Sequence, residues 1–151
     1  MKGSQIFNNF KGVWKFERFI SNEGSVKGQA TFAEIKPNVL KYSETGVWIM
    51  ADKNMEISRQ YQYHYNPETD KIIVFFDENP PRLFYELNVA FAEAKTSVCT
   101  IATGEHLCNK DTYKATYKFI SSNQFTLFYQ VNGPRKQYVI QTNFELDLDC
   151  H

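Results

Sequence analysis

The 151-residue sequence has no excess of charge of either sign and no long apolar run. Seventeen basic and seventeen acidic residues cancel, and lysine and arginine form no cluster of the kind that binds nucleic acid. No stretch approaches the length that spans a bilayer, and residues 1–10 lack the basic region and apolar run of a signal peptide. We therefore expect a cytoplasmic protein that binds neither nucleic acid nor membranes.

Cysteine is scarce as well. The three cysteines, Cys99, Cys108 and Cys150, are odd in number, and their spacing is not that of a metal finger. Free thiols are therefore the default expectation, and we predict neither a metal nor another cofactor.

Aromatic residues, in contrast, are abundant, with thirteen phenylalanines and nine tyrosines. Aromatic side chains favour strands, because they pack well on a pleated surface. Many tyrosines also imply buried hydroxyls that need hydrogen-bond partners. At this length the chain fits one domain, residues 1–151, with a partly polar interior.

Strand signals recur along the whole chain and are separated by Gly, Pro, Asn and Asp. Helix is indicated only at residues 6–10, where a short turn would close one end of a barrel. Asn132-Gly133 predicts a tight hairpin turn with positive φ angles. About nine or ten short strands are expected, from candidate segments 12–20, 27–34, 39–44, 47–50, 57–65, 72–76, 83–89, 97–102, 113–120, 125–131 and 136–146.

The alternation of side chains decides between a sandwich and a barrel. In segment 113–120, Tyr113, Ala115 and Tyr117 share one face, while Lys114 and Lys118 share the other. One solvated face and one lined face are typical of a closed barrel of ligand-binding size. We therefore predict an all-β fold, a single antiparallel up-and-down barrel. The run 72–76, which is apolar throughout, is expected to be buried on both faces.

The faces predicted to point inward are polar. Glu44 can neutralise only one of two arginines, Arg18 and Arg59, because it carries a single charge. If both point inward, an anionic guest would supply the missing acceptors; the alternative is a closed salt-bridged network that ties strands together. The inward set is Trp14, Arg18, Tyr42, Glu44, Arg59, Tyr61, Tyr63, Tyr113, Tyr117, Tyr129, Tyr138 and Thr142.

The segment His106-Leu107-Cys108, followed by Asp111, is the most chemically suggestive. A histidine and a cysteine two apart on a strand point the same way and could share a metal, but a zinc site needs three or four ligands. Cys108 as a nucleophile with His106 as its base is a second reading. We favour a third, a buried thiol beside a hydrogen-bonded histidine that closes a loop.

Several motifs occur in an order that resembles a known family. They run from Gly12-x-Trp14-x-Phe16-x-Arg18 through Leu40-x-Tyr42-x-Glu44-x-Gly46, Arg59-x-Tyr61-x-Tyr63, Arg82-x-Phe84 and His106-x-Cys108-x-x-Asp111-x-Tyr113 to Gly133-Pro134-x-Lys136-x-Tyr138. Together they resemble small bacterial calycin-like, or lipocalin-like, barrels catalogued as a domain of unknown function. The family pattern tends to end with an aromatic residue and an arginine, whereas here Phe144 is followed by Glu145. The arginine that packs over the first-strand tryptophan in such barrels is therefore absent.

The leading hypothesis is a protein that binds a small polar or anionic ligand inside the barrel. An enzyme that uses Glu44, or the pair His106 and Asp111, as acid or base is one alternative. A haem-binding barrel is another, with His106 as ligand, since His64 has the wrong parity; a scaffold with a filled barrel is the last. Neither the ligand nor the oligomeric state follows from the sequence. The predicted ligand-binding residues are Arg18, Tyr42, Glu44, Arg59, Tyr61, Tyr63, His106, Asp111, Tyr113, Lys136 and Tyr138.

Overall fold

The computed structural model describes residues 2–94 and 97–149 of the chain. Within them, one short helix precedes ten strands, which confirms the predicted strand number. No described helix is long and apolar enough to cross a membrane. The elements are α1 (Gly3–Phe10), β1 (Gly12–Ile20), β2 (Gly24–Lys36), β3 (Val39–Ile49), β4 (Asn54–Asn66), β5 (Lys71–Phe76), β6 (Arg82–Ala94), β7 (Ser97–Cys108), β8 (Asp111–Ser121), β9 (Gln124–Asn132) and β10 (Gln137–Leu146).

The strands form one closed antiparallel barrel in which each strand pairs with its neighbours in sequence. The barrel closes at β1, where Trp14 lies opposite Ala30 of β2 on one side and Leu146 of β10 on the other. Side chains alternate along β1 as predicted: Trp14, Phe16 and Arg18 are buried, and Lys15 is exposed. The all-β up-and-down barrel is therefore confirmed.

Helix α1 closes one end of the barrel, called the closed end below. Phe10, the last residue of α1, is 1% exposed and lies within 6.1 Å, ring centroid to ring centroid, of five aromatic rings. The Trp14 indole donates a 2.8 Å hydrogen bond to the Phe10 carbonyl, and the Asp70 carboxylate accepts hydrogen bonds from the first amides of α1. The five rings are those of Phe32, Tyr63, Tyr117, Phe119 and Phe125.

Two expectations about the strands were wrong. Segments 39–44 and 47–50 form one continuous strand, β3, because Gly46 lies opposite Gly28 of β2 and continues the ladder. The backbones approach closely there: a Cβ atom on Gly28 would lie 2.1 Å from the Thr45 carbonyl oxygen. Strand β5 is not buried on both faces, since Ile72 and Val74 are buried while the residues between and beyond them are partly exposed.

Strands β6 and β7 are hydrogen-bonded over only part of their length. Their pairing runs from Ala94 opposite Ser97 to Asn88 opposite Thr103, and no ladder pair follows within the described residues. Residues 82–87 pair with β5 and residues 104–108 with β8, so each segment is paired on one side only. We call this unpaired stretch of the barrel wall the seam.

Candidate functional site

A cavity of about 280 Å³ lies at the end of the barrel opposite α1, called the open end. Strands β4 to β10 supply its lining. Two arginines and a histidine line this cavity, whereas no aspartate or glutamate is among its lining residues. The cavity is therefore suited to an anion. Its lining residues are Arg59, Tyr61, Phe76, Arg82, Phe84, His106, Cys108, Tyr113, Tyr129, Val131, Tyr138 and Ile140.

The residues predicted from the sequence fall into three groups around this cavity. Arg59, Tyr61, His106, Tyr113 and Tyr138 line it directly. A second group surrounds a void of only about 20 Å³ deeper in the barrel, and Arg59 and Tyr61 border both spaces. This second group consists of Arg18, Tyr42, Glu44 and Tyr63. The third group, which lines neither space, consists of Asp111 and Lys136.

Arg18 is fully engaged by the protein's own acceptors. Its two terminal nitrogens donate to the two carboxylate oxygens of Glu44 at 2.8 Å each, and its Nε donates to the Thr142 hydroxyl at 2.9 Å. Burial alone would lower the pKa of Arg18, but the bonds and charge of Glu44 outweigh it and raise that pKa. At Arg18 the structure therefore matches the closed-network alternative, and little capacity remains for a ligand.

Glu44 acts as the counter-ion of this network. It also accepts a 2.5 Å hydrogen bond from the Tyr42 hydroxyl. Burial would raise the pKa of Glu44, yet the bonds and charge of Arg18 prevail, so the pKa lies below its ordinary value of 4.5. A carboxylate held in this way is a poor acid or base, so the structure does not support the reading of Glu44 as a catalytic group.

Arg59 differs from Arg18 in having no partner of its own. It lies opposite Glu44 in the β3–β4 ladder, and its charge also helps to lower the pKa of Glu44. Nevertheless, Arg59 forms no salt bridge or hydrogen bond with another residue in the part of the chain that the structure describes. One carboxylate thus serves two guanidinium groups, and the charge of Arg59 at the cavity is left uncompensated.

Three buried tyrosines and the partly buried Tyr129 form a chain of hydroxyls that leads to the cavity. Hydrogen bonds of 2.6, 2.5 and 2.7 Å join Tyr63 to Tyr117, Tyr117 to Tyr85, and Tyr85 to Tyr129. Burial raises the pKa of all four hydroxyls, so they stay protonated at neutral pH. We call this set the tyrosine chain, and Tyr129 is its member at the cavity.

The proton count of the tyrosine chain allows Tyr129 a donor role. Three hydrogen bonds use three of the four phenolic protons, and the fourth proton stays on the one hydroxyl that only accepts within the chain. At the Tyr63 end, the aromatic rings of Phe10 and Phe32 surround the side chain. At the Tyr129 end, the proton can point into the cavity, where a ligand oxygen can accept it.

His106 and Cys108 both face the cavity, as their spacing on β7 predicted. The favoured reading of this pair was wrong, because Cys108 is exposed and the segment is a strand, not a loop. The His106 ring packs edge-on against Phe84, with ring centroids 5.3 Å apart, and hydrogen-bonds to none of the described residues. No group of three or more His, Cys, Asp or Glu in the described residues is arranged to hold a metal ion.

Asp111 and Lys136 lie at the start of β8 and just before β10. The Lys136 ammonium is 3.6 Å from the Asp111 carboxylate. Asp111 is therefore paired with Lys136, not with His106, and the suggested acid–base pair of His106 and Asp111 does not form.

The sequence analysis named Arg82-x-Phe84 only as a family motif and did not predict Arg82 or the aromatic wall beside it as part of the site. Phe76 and Phe84 stack at 4.3 Å, and the Arg82 guanidinium lies 4.1 Å from the centre of the Phe76 ring. Glu78 pairs with Arg82 at 2.9 Å, so this arginine, unlike Arg59, is neutralised. One signal in the sequence could have indicated Arg82. It is the first residue of the strand that follows Pro80-Pro81, and this strand begins at the end of the barrel where Arg59 lies.

Residues 10–146 match the model of a family of unknown function, DUF6314. The chain belongs to this family. That assignment confirms the prediction of a calycin-like barrel family whose activity is not defined. No curated protein sequence matches the chain.

Solved structures resemble this chain at very low sequence identity. An S-type phycobiliprotein lyase from Guillardia theta has a TM-score of 0.57 and 10% identity over 97% of this chain and 93% of that one. A redesigned β-barrel has a TM-score of 0.49 and 10% identity over 93% and 94% of the two chains. A redesigned β-barrel bound to DFHBI has a TM-score of 0.49 and 10% identity over 91% of this chain and 98% of that one. At these identities the lyase supports the barrel fold and nothing about a shared ligand.

Proposed function

We propose that this protein binds a small aromatic carboxylate in the open-end cavity, with Arg59 as the anchoring cation. The observation that carries the proposal is the charge imbalance: Arg18 is matched by Glu44, whereas Arg59 faces a cavity without an acidic lining residue. A guanidinium fork fits a carboxylate in a bidentate arrangement, and an unpaired charge beside a partly enclosed space favours an anionic occupant.

The rest of the lining fits the same ligand class. Phe76 and Phe84 offer apolar ring surface for an aromatic group, and Tyr61, Tyr113 and Tyr138 add hydroxyls without a hydrogen bond to other described residues. The spare proton of the tyrosine chain at Tyr129 is a further donor toward a ligand oxygen. Few polar groups on a mostly apolar wall are typical of a small-molecule site.

The test is calorimetric titration of the protein with 4-methoxybenzoate, and with 4-methoxybenzyl alcohol as its neutral counterpart. We expect the carboxylate to bind and the alcohol to bind at least about tenfold more weakly, because a hydrogen-bonded charge pair is lost. Binding of the carboxylate should weaken as salt rises, since Arg59 is exposed to solvent.

Two variants locate the anchor. Arg59→Gln should weaken 4-methoxybenzoate binding by about tenfold or more, whereas Arg135→Gln should leave it unchanged. Arg135 is exposed and does not line the cavity, so it is a matched control for the loss of one positive charge. Equal binding of acid and alcohol, or equal loss in both variants, would overturn the proposal.

A further inference from the structure

The seam between β6 and β7 leaves the barrel wall beside the cavity without ladder hydrogen bonds. Continuing the ladder beyond Asn88 and Thr103 would place Glu86 opposite Glu105, and like charges directly opposite each other disfavour pairing. The Tyr85 ring also packs over Gly104, where a Cβ atom would lie 2.6 Å from the ring. Repulsion and an inserted ring therefore both favour an unpaired seam.

A groove of about 680 Å³ runs along the outer side of the seam. Two residues, Phe84 and His106, line both this outer groove and the open-end cavity. They lie on opposite sides of the seam, one on β6 and the other on β7, and meet edge to face at 90°. The contact between these two rings therefore forms the wall between the cavity and the outer groove at that point.

The outer groove also has an apolar margin on each strand. Leu83 of β6 is 54% exposed and Leu107 of β7 is 68% exposed, and both line the groove. Exposed leucines on both sides of an unpaired seam offer a surface that an aliphatic chain can cover. Each methylene that is removed from water there makes the free energy of binding more favourable.

We infer that the ligand is an aromatic carboxylate with an aliphatic tail of several carbons, and that the tail leaves the cavity through the seam. The ring lies against Phe84, and the tail passes between Phe84 and His106 onto Leu83 and Leu107. This inference rests on the proposed function, because it uses the same head group bound at Arg59. It adds the length of the ligand and the route of its tail.

The experiment compares 4-methoxybenzoate with 4-octyloxybenzoate by calorimetric titration, at concentrations at which the longer acid is monomeric. The native protein should bind the octyloxy acid at least about tenfold more tightly, since seven added methylenes are partly buried. The double variant Leu83→Ser/Leu107→Ser should reduce that ratio to about threefold or less and leave 4-methoxybenzoate binding unchanged.

A matched control is Phe19→Ser/Val139→Ser, which removes two apolar side chains from another part of the outer wall. These residues are 45% and 44% exposed and line neither the cavity nor the outer groove. The control should keep the full preference for the longer acid. Amide hydrogen exchange provides a second readout: the octyloxy acid should slow exchange in residues 82–87 and 104–108 more than the methoxy acid does.

The outcomes separate the two proposals. If 4-methoxybenzoate does not bind, the proposed function fails. If it binds but the octyloxy acid shows no advantage, or an advantage that the leucine variant retains, the tail does not use the seam and the present inference fails alone.

Discussion

The closed and open ends of this barrel differ in whether their polar side chains have partners within the protein. At the closed end, Phe10 is surrounded by rings, and the Trp14 indole and the Asp70 carboxylate both have hydrogen-bond partners. At the open end, neither Arg59 nor His106 forms a salt bridge or hydrogen bond with another described residue, and a barrel seam is unpaired. Stability should therefore depend mainly on the closed half and ligand binding on the open half.

The largest loss of stability is expected for Phe10→Ala. This change removes a fully buried ring at the closed end and leaves a cavity, which typically costs about 3–5 kcal/mol. The free energy of unfolding from urea denaturation measures the effect. Phe19→Ala is the control, because Phe19 is exposed on the outer wall and its loss should cost less than about 1 kcal/mol. Equal losses in the two variants would contradict the division between the halves.

Glu44→Gln should have the next largest effect and lower the free energy of unfolding by about 3 kcal/mol. The substitution keeps the shape of the side chain but leaves the buried Arg18 guanidinium without a counter-charge. Glu34→Gln removes an exposed carboxylate paired with Lys11 and should cost less than about 1 kcal/mol in the same urea titration.

The pH dependence of stability gives a second signature of Glu44. Its pKa is lower in the folded protein than the ordinary value of 4.5, so the unfolded chain binds a proton more readily. The stabilisation is therefore complete above pH 4.5 and is lost as pH falls through the folded pKa. Glu44→Gln should flatten this acid limb of the stability curve; an unchanged acid limb would show that Glu44 is not the titrating group.

Tyr117→Phe should lower the free energy of unfolding by a smaller amount, about 1–3 kcal/mol. The Tyr117 hydroxyl sits in the middle of the tyrosine chain, and its removal leaves its two neighbours without one partner each. Tyr61→Phe is the control, because the Tyr61 hydroxyl makes no hydrogen bond within the described residues and should cost less than about 0.5 kcal/mol. If Tyr61→Phe is the more destabilising change, the tyrosine chain is not a structural element.

Much of the closed, regular part of the molecule could be predicted from alternation alone. The period of two in β1 and β8 identified Trp14, Arg18 and Tyr117 as inward-facing, and all three are buried. The same alternation and a count of charges left two interpretations open, an arginine available to an anionic guest or a closed salt-bridged network. The sequence could not decide between them, because the choice depends on rotamers around Glu44 and on the position of Thr142 in a distant strand.

Features that depend on contacts between strands could not be predicted in the same way. The seam lies where a continued β6–β7 ladder would place Glu86 opposite Glu105, and a register is not visible within one strand. The turn after β9 is a further example: the hairpin turn lies at residues 133–136, between β9 and β10, but neither Asn132 nor Gly133 has the predicted positive φ angle. Positive φ angles occur instead at Asn22, Asn38, Asp70 and Asn109, as well as at Gly12 and Gly24.

The attachment of α1 determines the overall form of the space inside the barrel. Asp70 holds the first amides of the helix and Trp14 holds its last carbonyl, so both ends of the helix are fastened across the base. The molecule is consequently a cup: whatever enters through the open end must pass the same rim to leave, unless it leaves through the seam as inferred above. Without that base it would be a tube, and its contents would exchange from both directions.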